Sequence, residues 1–251
     1  MEEHAAASKA AEKSIELPSF MDLLGIDMHQ HIWGLSLHQW LPVIMSVIAA
    51  LFLCGISIYA TRNPKKIPGG LQCFMELIVE TLDKFFRDIM GSATSVFLPF
   101  VGSLFLYILL MNMMGLIPLL HSSTNNLNTT LALAIIVFFS THYVGFSRNG
   151  LIGYFKHFLG EPLWLAPLLF PMHIIGELAR PLSLSMRLFG NIMGEDTAIA
   201  ILVGLAVSLF YIPIHFPMLL LALLTSLIQA GIFAILASVY IAGAIGHHEE
   251  H

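Results

Sequence analysis

Apolar residues along this chain come in long runs broken at a few defined places. The first run, LPVIMSVIAALFLCGISIYA, occupies residues 41–60. About 20 apolar residues, rising 1.5 Å each in a helix, cross a bilayer's hydrocarbon core. The run stops at TRNPKKIPGG, where basic residues meet helix breakers. Residues 71–91, LQCFMELIVETLDKFFRDIMG, show a different pattern. Leu71, Phe74, Leu77, Ile78, Leu82, Phe85, Phe86 and Ile89 recur at intervals of three and four, while Glu76, Glu80, Asp83, Lys84, Arg87 and Asp88 fill much of the remainder. This predicts an amphipathic helix lying along the membrane surface or docking a partner. Further spans are expected at about 96–117 and 130–146, joined by the uncharged link PLLHSSTNNLNTT. After RNGLIGYFKHFLGEP come a long apolar stretch with embedded charges at about 163–208, the Pro-rich YIPIHFP, and a last apolar stretch at about 218–245. Residues 1–40 form a polar N-terminal extension, and 41–251 a single membrane domain of the all-α class.

Composition sharpens the class. Of 251 residues, 57% are hydrophobic and 11% charged, against about 25% charged in a soluble domain. So little charge cannot cover a water-facing surface, whereas lipid solvates an apolar exterior. The net charge of −5 is unevenly spread: acids dominate the first 27 residues, and no lysine or arginine follows Arg187. There is no basic patch for nucleic acid. The acidic start, MEEHAAASKAAEKSIELPSF, reads as neither a secretory signal nor an Arg-rich transit peptide. Cys54 and Cys73 suggest apolar fillers rather than a disulfide or zinc site.

Positive residues mark cytoplasmic loops. The loop after the first span carries Arg62, Lys65, Lys66, Lys84 and Arg87, the next loop carries none, and the one after that carries Arg148 and Lys156. This alternation places the N-terminus outside. The last two long segments, read as a hairpin, return the C-terminus to the cytoplasm.

The candidate chemistry lies in HIIGELARPLSLSMRLFGNIMGED, residues 173–196. Glu177, Arg180, Arg187, Glu195 and Asp196 interrupt an otherwise apolar helix. Each charge near the bilayer centre costs about 2.5–3.5 kcal/mol on insertion scales, so such charges mark function by default. Arg180 and Arg187 are seven apart and share a face, with Ser183 and Asn191 one turn either side of Arg187. Gly190 leaves a gap beside it. Asp196, nine residues on, points roughly 180° away. Glu177 and Arg180 are three apart and suited to pair. Arg187 has no acid three or four residues away, so its counter-ion belongs elsewhere, on another helix or another subunit.

RPLSLSMRLFGN closely resembles the signature of the F-type ATP synthase a subunit family. IPGGLQCFMELIVETLDKFFRDIMG is similar to that family's surface helix, MNMMGLIP and NNLNTTLALA to its second and third spans, and SLIQAGIFAILASVYI to its last helix, with Gln229 at the polar position. The resemblance implies two long tilted helices packed on a rotating ring of c subunits. It also implies peripheral-stalk b subunits and the remainder of the ATP synthase as partners, and a bacterial inner membrane as the location. Two offset half-channels would bring the ion, by default a proton, to each rotor carboxylate and away again. Arg187 holds the position of the essential arginine between them. Its guanidinium stays protonated, so it attracts carboxylates without relaying protons. Asp196 falls at the channel acid of the family, with Glu195 beside it, and Ser183, Asn191 and Gln229 in support.

Two positions depart from the family pattern. An acid is usual fourteen residues before the arginine, where this chain has His173, and Glu177 one turn later is the substitute. An aspartate is common in the loop before the third span, where this chain has Asn126. Histidines 29, 31, 38, 247, 248 and 251 form no metal box of membrane-helix spacing. There is no G-x-x-x-x-G-K-[ST] loop and no nucleophile–base pair, so neither a nucleotide site nor another catalytic centre is read here, and no cofactor is called for. The competing reading is a stand-alone transporter or channel binding an anion at Arg187, which would call for inverted repeats that the chain does not display.

Overall fold

The computed structural model describes residues 31–32, 35–62, 69–117, 120, 122–159, 166–208 and 216–245. Residues 1–30 and 33–34 of the expected N-terminal extension, Lys65, Lys66 and the C-terminal histidines lie outside the described residues. Two minimal strands, β1 (His31–Ile32) and β2 (Leu35–Ser36), pair antiparallel just before the first helix. The long elements among the described residues that follow are helices: α1 (Leu37–Thr61), α2 (Gly70–Met90), α3 (Thr94–Met114), α4 (Leu127–Leu159), α5 (Ala166–Ser208) and α6 (Phe216–Ile245). Five stretches, in α1, α2–α3, α4, α5 and α6, are long and apolar enough to cross a membrane. The architecture is the all-α membrane class that the runs of apolar residues imply.

α2 and α3 are separate helices joined by a tight corner. Gly91 takes φ 57°, a conformation that favours glycine. The buried Thr94 hydroxyl then donates to the Gly91 carbonyl at 2.8 Å. Leu82, Phe86 and Met90, one turn apart along α2, are buried against Val101 of α3 and Ala234 and Ile241 of α6. The charged side stays exposed, carrying the ion pairs Lys84–Glu80 and Arg87–Asp83. α4 bends where the apolar pattern fails, at Gly150 (φ 69°, ψ 163°).

α6 is the centre of the bundle, in contact with α2, α3, α4 and α5. Its buried stripe, Ala222, Ser226, Gln229, Ala230, Phe233, Ala237 and Ile241, recurs every three or four residues. The alanines let neighbouring backbones approach, which is how membrane helices gain packing contacts where lipid is as apolar as leucine. Ile108 and Met111 of α3, Ala134 and Val137 of α4, and Leu184 and Leu188 of α5 close on this stripe. Large apolar side chains such as Leu51, Ile175 and Leu220 are exposed instead, as a lipid-solvated exterior allows. With 43 residues, α5 extends about 64 Å at 1.5 Å per residue, roughly twice the hydrocarbon thickness. It therefore either inclines strongly or projects beyond the core.

The uncharged link before α4 folds onto the bundle through neutral donors. Thr124 Oγ1 donates to Asn112 Oδ1 at 2.7 Å, and Ser123 Oγ to the Pro42 carbonyl at 2.6 Å. Asn112 Nδ2 donates to the Ser226 carbonyl at 3.4 Å. Such mutual satisfaction lets Asn112, Ser122, Ser123 and Thr124 be buried without the cost of unpaired polar groups. The approach is close: a Cβ on Gly115 would lie 2.7 Å from Ser122 Cβ. Gly115→Ala should push this link off α3 and cost about 1–3 kcal/mol, as overpacking does. A lowered thermal midpoint in detergent is the expected result, and an unchanged one would mean the link yields freely.

Candidate functional site

The geometry of α5 separates the candidate side chains by direction. Leu184, Ser185, Leu188, Ile192, Glu195 and Ile199 form its buried stripe, at the spacing a helix turning 100° per residue requires. Residues on the far side face outward: Ser183, Arg187, Gly190 and Gly194 are all exposed. Apart from the adjoining backbone of α5 itself, no atom lies within 4 Å of where a Cβ would sit on Gly190 or Gly194, so the surface beside Arg187 is open. Leu182, Met186 and Met193 make that surface apolar. Among the described residues, Arg187 has neither an ion pair nor a hydrogen bond.

Polar rungs join α5 to α6. Asn191, at the edge of the outward face, donates from Nδ2 to Gln229 Oε1 at 2.8 Å, and Gln229 is buried. One turn further, Thr225 Oγ1 donates to Glu195 Oε2 at 2.6 Å. Four residues forward on α5 correspond to four back on α6, so the helices are antiparallel in a single register. Asp196 points away from Arg187, toward the link before α4, where Asn125 Nδ2 donates to Asp196 Oδ2 at 2.9 Å.

The same register continues to the other end of the seam. Arg180 lies eleven residues before Asn191, and Tyr240 eleven after Gln229, and the Arg180 guanidinium sits 5.1 Å from the Tyr240 ring centroid. Arg180 Nη1 also pairs with Glu177 Oε1 at 2.5 Å, one helical turn away. His173, another turn back, is exposed. The residues singled out in the sequence thus form three groups along α5. Glu195, Asp196, Asn191 and Gln229 are held toward the bundle at one end. Glu177 and Arg180 pair at the other, and Arg187 and Ser183 face outward between them.

Sequence reasoning passed over several partners. Asn125, not Asn126, reaches the acid. Asn126 Oδ1 instead accepts from the Asn128 backbone N–H at 2.9 Å, capping α4 as asparagine does at the start of a helix. Thr225 and Tyr240 were also missed, because their value depends on the α5–α6 register. His142 of α4 lines a cleft with Glu177, Arg180 and Tyr240. Its signal was an ionisable group inside the apolar run of the third span.

The chain is similar to known proteins over most of its length. The profile of the ATP synthase A chain family matches residues 43–242. ATP synthase subunit a 3 of Pelobacter propionicus is 45% identical over 199 residues, 79% of this chain and 84% of that protein. ATP synthase subunit a of Geobacter sp. strain M21 is 43% identical over 210 residues, 84% and 86% of the two chains. ATP synthase subunit a of Trichlorobacter lovleyi is 41% identical over 216 residues, 86% and 92%. The matched region contains every residue of the three polar groups, and this chain belongs to the ATP synthase A chain family.

Proposed function

We propose that this chain is the proton-translocating stator subunit of a rotary ATP synthase, multi-pass in a bacterial inner membrane, with its N-terminus outside and its C-terminus in the cytoplasm. Arg187 is the charge that meets the rotor carboxylates. The observation that carries this reading is the outward, unpaired guanidinium on an apolar and open face of α5. Exposing a cation to lipid is costly, so that face calls for a partner with an acid at membrane depth. A ring of c subunits, each with one carboxylate, supplies such partners in succession.

The groups on either side of Arg187 suit two offset access paths. Asn125, Asp196, Glu195 and Thr225 form the outer one, next to the uncharged link, and the Asn191–Gln229 rung lies between the acids and Arg187. Glu177 and Arg180 belong to the inner one, with His173 one turn away. Arg187 favours the ionised rotor carboxylate by opposite charge, promoting proton release, and it blocks direct passage because guanidinium does not give up its proton. One elementary charge crossing 100 mV yields about 2.3 kcal/mol, so the ring must gather several crossings for each ATP. ATP chemistry belongs to other subunits, and the peripheral-stalk b subunits hold this one against rotation.

Two measurements test this. Arg187→Ala should abolish ATP-driven acidification of inverted membrane vesicles while the complex still assembles. Arg87→Ala, which removes only an exposed pair worth about 0.3–0.5 kcal/mol, should pump normally. Normal pumping by an assembled Arg187→Ala complex would sink the reading. On the outer path, Thr225→Val leaves buried Glu195 without its donor, at a cost of about 1–3 kcal/mol, and should slow pumping. Asp196→Asn should slow it more, because it removes a carboxylate that can carry a proton. Full activity in both variants would remove this end of the seam from the path.

A further inference from the structure

A tight turn, Ser122 to Asn125, lies between the end of α3 and the start of α4. The Asn125 backbone N–H donates to the Ser122 carbonyl at 3.2 Å, the bond that closes a four-residue turn. The side chain of its last residue is the one that reaches Asp196. That contact joins residues 71 apart in the chain, so the placement of the turn decides whether it forms.

Thr124 fixes that placement. Its hydroxyl has one hydrogen, which it gives to Asn112 Oδ1 at 2.7 Å. In its 2.7 Å contact with Ser122 Oγ it therefore accepts. The Asn112 amide is held in one orientation, because Nδ2 donates to the Ser226 carbonyl and a carbonyl oxygen only accepts. Thr124 and Asn112 are both fully buried, so bulk water cannot replace either partner. Ser226 follows Thr225, whose hydroxyl donates to Glu195. One asparagine thus fastens the elements that carry the donors of both acids, Asn125 through Thr124 and Thr225 through α6.

The Asn125 amide does not ionise, so its part is orientation. It donates to Asp196 Oδ2, and among the described residues Oδ1 has no hydrogen-bond partner. One carboxylate oxygen is held and the other is left for the transported proton.

We propose that Thr124, acting through Asn125, is a positioning residue of the outer access path: its bond to Asn112 holds the turn where the Asn125 amide orients the Asp196 carboxylate. This rests on the stator reading above. The Thr124 hydroxyl touches no transported ion and takes no part in proton transfer.

The test reads the initial rate of ATP-driven acidification of inverted vesicles, per assembled complex. Thr124→Val keeps the branched shape and removes the hydroxyl, and should lower the rate severalfold. Thr124→Ser keeps the hydroxyl and removes a methyl group, and should stay within about twofold of the parent. Asn125→Ala should be slowed like Thr124→Val, and adding Thr124→Val to Asn125→Ala should slow it no further, because the contact served is already gone. Should Thr124→Val fail to assemble, Thr124→Ala takes its place in each comparison. A parental rate in Thr124→Val or in Asn125→Ala overturns the proposal. So does a loss in Thr124→Ser equal to that in Thr124→Val, which would make packing the cause. A double variant slowed by the product of the two single losses also overturns it, since Thr124 would then act independently of Asn125. Arg187→Ala in parallel separates the two readings: if it is inactive while Thr124→Val runs at the parental rate, only the positioning role falls. If Arg187→Ala remains active, the stator reading itself falls.

Discussion

The register between α5 and α6 is the constraint on which the rest of the site depends. Inside a membrane an unsatisfied amide or hydroxyl has no water to turn to. The Asn191–Gln229 and Glu195–Thr225 bonds therefore act as a two-pin key. Each pin alone is modest, about 0.6 kcal/mol on average for such bonds. Together they select one alignment: sliding the helices by one turn to set Glu195 against Gln229 would strand Asn191 opposite Phe233 and leave Thr225 without its partner. The same alignment brings Arg180 over Tyr240 at the far end, so one register organises polar groups along much of the seam.

Helical rotation then separates the charges. Asp196 and Arg187 are nine residues apart, two and a half turns, so a single rigid helix shows the acid to the bundle and the arginine to the outside. No loop rearrangement is needed to keep them from neutralising each other. This separation matters for the proposed function, because an arginine satisfied within its own chain would have little attraction left for a passing rotor carboxylate.

The uncharged link before α4 has a share in this. Ser122, Ser123 and Thr124 are buried by bonding to α3 and α1, and Asn112 ties that cluster to α6. The next residue, Asn125, is thereby delivered to Asp196. A run of neutral hydroxyls and amides, unremarkable when read along the chain, is what fastens the link that holds the acid's partner.

Much was legible in the residues themselves. Long apolar runs bounded by basic, Pro and Gly residues specify membrane-crossing helices, because the cost of exposing backbone and charge to lipid leaves few alternatives. The pattern of α2 marked its charged positions and, in Leu82 and Phe86, part of its buried face, although Leu71, Phe74, Leu77 and Phe85 are exposed, and a seven- or nine-residue spacing on one helix was enough to tell which way Arg180, Arg187 and Asp196 would point. Those are properties of a single helix, and local geometry decides them. The identity of Asn125 rather than Asn126 as the acid's partner, the Thr225 hydroxyl beneath Glu195, and the meeting of His142, Glu177, Arg180 and Tyr240 in one cleft were decided only by tertiary structure. Each joins residues from different helices, and their approach depends on how α4, α5 and α6 pack, through small residues and a few hydrogen bonds that carry no periodic trace along the chain.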